Sequence, residues 1–235
     1  MGNSYFQFKQ FLVNQDKCAM KVGTDSVLLG CLSTINDAKK CLDIGTGTGI
    51  LSLMLAQRNN ELQIDAIEID EQAFLQASHN FSSSKFSNQI QVHFCALQNF
   101  EPNKKYDLII SNPPYFIGKN NFSILDLQRA KARHDDDLPF EVLIESVMKL
   151  LNETGIFVLI LPLAEANIFK VLSIEKGLFA NKSVFIKPKP SKASNRIILE
   201  FSMQPKYETS EQFIIYNEDN SPSELYKKIR TEWFV

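Results

Sequence analysis

The most chemically pointed stretch of the 235-residue chain is Asn112-Pro113-Pro114-Tyr115. It follows the apolar run 106–111, which reads as a buried strand, and two successive prolines there end strand pairing and hold an extended turn. The Asn112 side-chain carbonyl and the Pro113 main-chain carbonyl then make two acceptors aimed at one amino group. Tyr115 offers a flat face on which a planar substrate can stack. An adenine N6, a cytosine N4 and a carboxamide all fit that description. Such a nitrogen is a poor nucleophile because its lone pair is delocalised, and two acceptors that favour a tetrahedral nitrogen would localise the pair toward an electrophile. The alkylated nitrogen becomes acidic, so no strong base is needed, and His134 is not required as one. The plainer alternative is a turn that only ends a strand.

A second constellation lies upstream. Asp43-Ile44-Gly45-Thr46-Gly47-Thr48-Gly49-Ile50 follows a short apolar strand and opens a helix, a setting in which a small charged ligand can approach the backbone. The dinucleotide pattern GxGxxG would need glycine at position 50, where this chain has Ile50. The GxGxG spacing, with Asp43 two residues ahead, suits a ligand without a pyrophosphate such as S-adenosyl-L-methionine, whose ammonium Asp43 could help hold. Glu68, at the end of the next strand, lies about twenty residues on, where a carboxylate can accept both hydroxyls of a ribose. Ile69, beside Glu68, is expected to contact the cofactor as well, and Ala96 and Leu97 fall where an adenine ring would lie, although such apolar residues serve equally as core. A merely tight glycine turn is the alternative for the loop.

These residues need a scaffold, and the chain alternates strand with helix, which predicts an α/β fold with a mostly parallel sheet covered on both faces. Strands are expected at 40–44, 62–69, 90–95, 106–111, 156–161, 183–187 and 197–203. Helices are expected from the glycine loop to about 58, at 71–84, at 140–152 with a turn at Gly155, and at 164–176. Ahead of this lies an N-terminal extension, residues 1–38, expected to pack as a cap on a catalytic domain of residues 39–235. Phe6, Phe8 and Phe11 suggest an aromatic hairpin, and Gly23-Thr24-Asp25 a helix start before residues 27–32. The tail reads as an exposed helix, 223–232, docked by Trp233 and Phe234.

Composition bounds the partners. Lys and Arg total 25 against 27 Asp and Glu, a net charge of −2, so nucleic acid must be held by a local basic patch rather than by overall charge. Residues 180–199 carry Lys182, Lys187, Lys189, Lys192 and Arg196 without one acid. Because the sixth strand should end at the active-site edge, the loop 188–195 is expected to flank the substrate. Arg129, Lys131 and Arg133 follow the Asn-Pro-Pro-Tyr turn into the same region. Solvated surface lysines are the alternative for each. Cys18, Cys31, Cys41 and Cys95 form no CxxC pair and read as reduced core thiols. The longest apolar stretch, 156–163, falls far short of the roughly 20 residues a membrane span needs. Phe6 stands where a myristoylation motif needs Ser or Thr. A cytoplasmic protein with no membrane or metal partner is expected, monomeric as far as the sequence speaks.

The glycine loop, Glu68 and Asn112-Pro113-Pro114-Tyr115 resemble the Rossmann-like, class I S-adenosylmethionine-dependent amino-methyltransferases over residues 35–203. The resemblance implies a seven-stranded sheet with one antiparallel strand. A closer likeness runs from Phe8-Lys9-Gln10-Phe11 through Asp16 to Asp25 and Leu28-Leu29-Gly30, with Arg196-Ile197-Ile198-Leu199-Glu200. These segments are similar to the bacterial tRNA1(Val) adenine-37 N6-methyltransferases and extend the likeness over nearly the whole chain. Residues 219–235 match that family's ending only loosely. The likeness implies methylation of the adenosine beside the anticodon of a tRNA, with Lys21, Thr24 and Asp25 closing over the cofactor. A protein glutamine N5-methyltransferase acting on release factors also suits the motif, but that family carries an N-terminal helical domain, unlike the aromatic start here. A non-catalytic binding module is disfavoured by the intact motif, and a DNA adenine methyltransferase by the want of a target-recognition domain.

Overall fold

The structure, a computed structural model, describes residues 3–18, 20–113 and 138–235. In chain order its elements are β1 (Tyr5–Gln7), β2 (Leu12–Asn14), α1 (Thr24–Leu32), β3 (Lys40–Ile44), α2 (Ile50–Arg58), β4 (Gln63–Glu68), α3 (Glu71–Ser82) and β5 (Ile90–Phe94). A 3₁₀ turn, Leu97–Asn99, leads to β6 (Tyr106–Ser111). Then come α4 (Phe140–Leu150), β7 (Leu151–Pro162), α5 (Leu163–Glu175), β8 (Phe179–Lys187), β9 (Arg196–Ser202), β10 (Thr209–Ile214) and α6 (Glu224–Trp233).

Eight of the strands form one sheet in the order β10-β8-β9-β7-β6-β3-β4-β5. Neighbours run parallel except β9, which is antiparallel to both β7 and β8. Strand and helix alternate as the sequence predicts. β10 is an eighth strand added to the expected seven, and it lengthens the sheet beyond β8 with mostly exposed residues of which only Phe213 is buried. Two boundaries also move. α4 stops at Leu150, not at 152, and β7 begins at Leu151 rather than Ile156. Gly155 therefore lies inside β7 instead of turning the chain. There the pairing of β6 with β7 shifts register between Tyr106 and Leu108, and a Cβ at Gly155 would stand 2.9 Å from the Tyr106 carbonyl oxygen. The glycine lets the two backbones touch across that irregularity.

Alternating residues of the central strands feed two cores. Cys41, Ile64, Ala66 and Ile110 face α1, α2 and the aromatic N-terminus, while Leu42, Ile44, Ile67 and Ile109 face α4 and α5. Both faces are buried, the expected cover for a parallel sheet. Inside the sheet the buried Asp65 carboxylate accepts hydrogen bonds from Tyr106 Oη at 2.8 Å and faces His93 Nε2 at 2.7 Å, with Lys104 beside it. Burial alone would push that carboxyl up, but these partners hold it below the usual range.

β1 and β2 pair as the expected hairpin. Phe8, Phe11, Val13 and Trp233 are buried together, and the Phe234 ring lies 5.6 Å from those of Phe6 and Phe8. Ser223 caps α6 by accepting from the Tyr226 amide at 3.1 Å. None of the four cysteines is disulfide-bonded, Cys18 and Cys41 being buried and Cys31 and Cys95 half-buried. Among the described residues, no helix is long and apolar enough to cross a membrane.

Candidate active site

Strand register sets the sequence motifs side by side. Ile44, at the end of β3, pairs with Ile67 of β4 on one side and Ser111 of β6 on the other. One residue further along each strand come Gly45, Glu68 and Asn112, abreast at the carboxyl edge of the sheet. Ligands of open α/β sheets bind at that edge.

The glycine loop is folded onto the end of β4. Gly45 and Thr46 both donate their amides to the Ile67 carbonyl, at 3.0 and 3.1 Å, and Gly49 donates to the Thr46 carbonyl at 2.9 Å. Gly45, Gly47 and Gly49 have φ of 68°, 57° and 83°, in the left-handed region. A Cβ at Gly49 would stand 2.4 Å from Phe81 Cε1, whereas one at Gly45 or Gly47 would meet nothing within 4 Å. Position 49 thus needs glycine for packing, while the loop's first two glycines face open space.

Asp43 lies fully buried beneath this loop. Its Oδ2 accepts from Thr46 Oγ1 at 2.6 Å and Ser52 Oγ at 2.7 Å. Its buried Oδ1 has no hydrogen-bond partner among the described residues. Burial pushes the carboxyl up to about 6 against the pull of the two hydroxyls.

Glu68 is held by backbone donors. Oε1 accepts from the amides of Ile69 (2.9 Å) and Asp70 (3.0 Å), and Oε2 from Gly47 at 2.8 Å. Asp70 in turn caps α3 by accepting from Ala73 at 2.8 Å. The carboxylate is thereby fixed before any ligand arrives. Beside it Ile69 is 69% exposed, Ala96 is half-buried, and Leu97 is buried in the core under α4.

Asn112 extends from the end of β6, and its Nδ2 donates to Ser26 Oγ of α1 at 2.8 Å. Pro113 behind it is buried. Asp25, next to Ser26, accepts from Arg196 Nε at 2.9 Å. Arg196 opens the antiparallel β9 opposite Pro162, so it too stands at this edge. Thr24 and Lys21 are exposed just ahead, with Lys21 Nζ 3.5 Å from the Asn3 carbonyl.

β8 ends and β9 begins at the same edge, as the sequence predicts, so Lys187, Lys189 and Lys192 flank the site. Their acid-free segment acquires acids from elsewhere in the chain. Lys182 lies 3.6 Å from Glu211, Arg196 is shared with Asp25, and the Glu218 carboxylate, held by Ser191, acts on both Lys189 and Lys192. Lys189 Nζ also donates to the Glu218 main-chain carbonyl at 3.2 Å. Pro114, Tyr115, Arg129, Lys131, Arg133 and His134 lie outside the described residues. Among the described residues no group of three or more His, Cys, Asp or Glu could hold a metal.

Two residues of the site have no signal in the sequence patterns. Ser52 sits in the first turn of α2, the third hydroxyl residue after Asp43, behind Thr46 and Thr48, at a spacing that marks nothing. Ser26 meets Asn112 across 86 residues of chain, a separation no local pattern records.

Residues 18–134 match the family model described as the methyltransferase small domain. Over 236 residues the chain is 39% identical to the tRNA1(Val) (adenine(37)-N6)-methyltransferase of Bacteroides thetaiotaomicron, covering 100% of this chain and 99% of that one. Its identity to the enzyme of the same name from Flavobacterium psychrophilum is 46% over 200 residues, or 84% and 85% of the two chains. The chain belongs to the tRNA1(Val) (adenine(37)-N6)-methyltransferase family. Solved structures agree on the fold. A chain described as a predicted O-methyltransferase of Agrobacterium tumefaciens superposes with a TM-score of 0.69 at 16% identity, covering 89% of this chain and 96% of that one. A glycopeptide N-methyltransferase crystallised with S-adenosyl-L-methionine gives 0.59 at 10% identity, covering 80% and 96%. Membership of the family bears out the resemblance carried by the N-terminal segment, the glycine loop and the Asn-Pro-Pro-Tyr motif.

Proposed function

We propose that the chain transfers a methyl group from S-adenosyl-L-methionine to the exocyclic N6 of an adenosine in tRNA, the adenosine at position 37 of tRNA1(Val). The observation that carries this reading is the register that sets Gly45, Glu68 and Asn112 abreast at one sheet edge. The full-length relatives that bear this activity as their name support the choice of substrate.

The residues fit the cofactor. The partnerless buried Oδ1 of Asp43 suits an ammonium, directly or through water. Glu68, a carboxylate already fixed by three backbone donors, keeps acceptor capacity on Oε2 for a ribose hydroxyl. The open space before Gly45 and Gly47 admits a ligand close to the backbone, Thr46 and Gly49 hold the loop's shape, and Ile69, Ala96 and Leu97 suit an adenine. Lys21, Thr24 and Asp25 would close over it. When bound, S-adenosyl-L-methionine supplies a methyl group on a sulfonium.

The chain's own residues then act on the amine. Asn112 Oδ1 and the Pro113 carbonyl accept from the N6 hydrogens and draw the lone pair out of the ring. Pro114 holds the turn, and Tyr115 stacks the base, which must be splayed from its loop to reach the site. As the N–CH3 bond forms, the nitrogen becomes acidic and its proton leaves to water. Lys187, Lys189, Lys192 and Arg196, with Arg129, Lys131 and Arg133, would contact the RNA backbone. Residues 1–38 serve as a cap on the domain 39–235 in this reading, and the enzyme works as a cytoplasmic monomer without metal.

The test is methylation with labelled cofactor of total tRNA, duplex DNA and release factor, followed by nucleoside mass analysis. N6-methyladenosine in tRNA, abolished by Asn112→Ala, is expected. Label on release factor alone would overturn the reading in favour of glutamine methylation.

A further inference from the structure

We propose that Ser26 is a positioning residue that holds the Asn112 carboxamide in place at the sheet edge. The inference rests on the function proposed above and adds to it a residue that no motif contains. A carboxamide has a donor end and an acceptor end of almost equal size, and a half-turn of its terminal torsion exchanges them. To receive hydrogens from an exocyclic amine, Asn112 must turn Oδ1 toward the substrate. With Nδ2 there instead, two donors would face each other, and the pull on the nitrogen lone pair would be lost. In the structure Nδ2 donates to Ser26 Oγ at 2.8 Å, which ties the donor end of the amide to α1.

Ser26 can act this way because its helix is anchored at both ends. Asp25, its neighbour, is tied to Arg196 at the start of β9 by the 2.9 Å contact. At the other end Arg58 Nη1 donates to the Gly30 carbonyl at 2.7 Å. Gly30 itself packs so tightly on α2 that a Cβ there would stand 2.6 Å from Met54 Sδ. Val27, Leu28 and Leu29 are buried between these anchors. The hydroxyl is therefore held still relative to the sheet, and the asparagine has a fixed partner on α1. Such preorganisation matters when charge shifts on the amine, so it belongs to the chemical step. Ser26 lies in the N-terminal segment, which makes that segment part of the catalytic arrangement as well as a cover.

The experiment compares kcat, KM for tRNA, cofactor affinity and thermal midpoint for the wild type, Ser26→Ala, Ser26→Thr and Asn112→Ala. Loss of one neutral hydrogen bond that orients a catalytic group predicts a fall of about tenfold in kcat for Ser26→Ala, with KM and cofactor affinity held within about twofold. Ser26→Thr, which keeps the hydroxyl, should recover kcat to within about twofold. An unchanged kcat for Ser26→Ala beside an inactive Asn112→Ala would overturn the inference and leave the proposed function standing. So would a loss of kcat that Ser26→Thr fails to recover at an unchanged thermal midpoint. Full methylation by Asn112→Ala would overturn the catalytic reading beneath it, and the inference with it.

Discussion

The Gly47 amide donates to Glu68 Oε2 at 2.8 Å, a bond that joins the glycine loop to the end of β4 before any ligand is present. One carboxylate thus shapes the loop and stands ready for hydroxyl donors. Glu68→Gln keeps the side chain's size but loses its charge and turns a donor toward either Gly47 or the ribose. A charged hydrogen bond of about 1.5–3 kcal/mol is at stake, so affinity for S-adenosylhomocysteine should fall about 10- to 100-fold. Titration calorimetry reads this directly, and equal affinity for the variant would remove Glu68 from the ligand site.

Asp43 gives the fold a pH dependence of its own. Its carboxyl titrates near 6 when folded against an ordinary value of 3.8, so the folded chain keeps a proton that the unfolded chain has lost. The folded state binds more protons across that window, and this group's contribution to stability falls as pH rises from about 4 to about 6, then stays level. Asp43→Asn keeps an acceptor for the hydroxyls of Thr46 and Ser52 without the charge. Its unfolding free energy should match the wild type near pH 4 and exceed it by about 2–3 kcal/mol at pH 7.5. Urea melts at the two pH values would show the difference, which should be largest at the higher one.

The three loop glycines should answer differently to alanine. Gly49→Ala combines left-handed strain with a collision on Phe81 and should cost about 2–5 kcal/mol. Gly47→Ala carries the strain alone, about 1–2 kcal/mol, because its Cβ meets nothing. It should nonetheless weaken cofactor binding, since that open side is where the ligand approaches. Chemical denaturation paired with binding separates the two effects, and equal destabilisation by both substitutions would contradict the packing described for Phe81.

Lys187, at the end of β8, and Lys192, in the loop 188–195, are two of the lysines expected to meet RNA. If each meets a phosphate, replacing both with Ala lowers the slope of log affinity against log salt by about 1.4. Arg196→Ala should alter kcat more than that slope, because its guanidinium is shared with Asp25 beside Ser26. A slope unchanged by the double lysine substitution would place the RNA elsewhere.

The sequence was most legible where chemistry and periodicity coincide. Asp43, the glycines, Glu68 and Asn112 stand on strand ends, and a parallel sheet brings strand ends together whatever the details of packing. β10 escaped notice because Thr209–Ile214 is an edge strand with one buried residue, so it carries neither an apolar run nor a clean alternation. β7 exceeds its expected span because Gly155 resembles a turn in the sequence, whereas its role is close contact with the backbone at Tyr106. The segment around Lys182–Arg196 looked purely basic because Asp25, Glu211 and Glu218 are distant along the chain. Ser26 was hidden for the same reason. Contacts made through space between remote segments leave no spacing to read.

The seam between the two ends of the described chain also governs the order in which the fold can be completed. The Lys9 amide donates to the Trp233 carbonyl at 2.9 Å, and Phe8 bridges to Phe234, so the hairpin's final partners come from the far end of the sequence. Contacts of such wide separation are made late, after loop closure has been compensated by the sheet between them. During synthesis the aromatic face of Phe6, Phe8 and Phe11 must wait, without its full cover, until residues near 233 have left the ribosome. The strands that carry Asp43, Glu68 and Asn112 can pair well before then. Completion of the fold is thus set by the aromatic seam, which can close only once the segment around Trp233 is available to it.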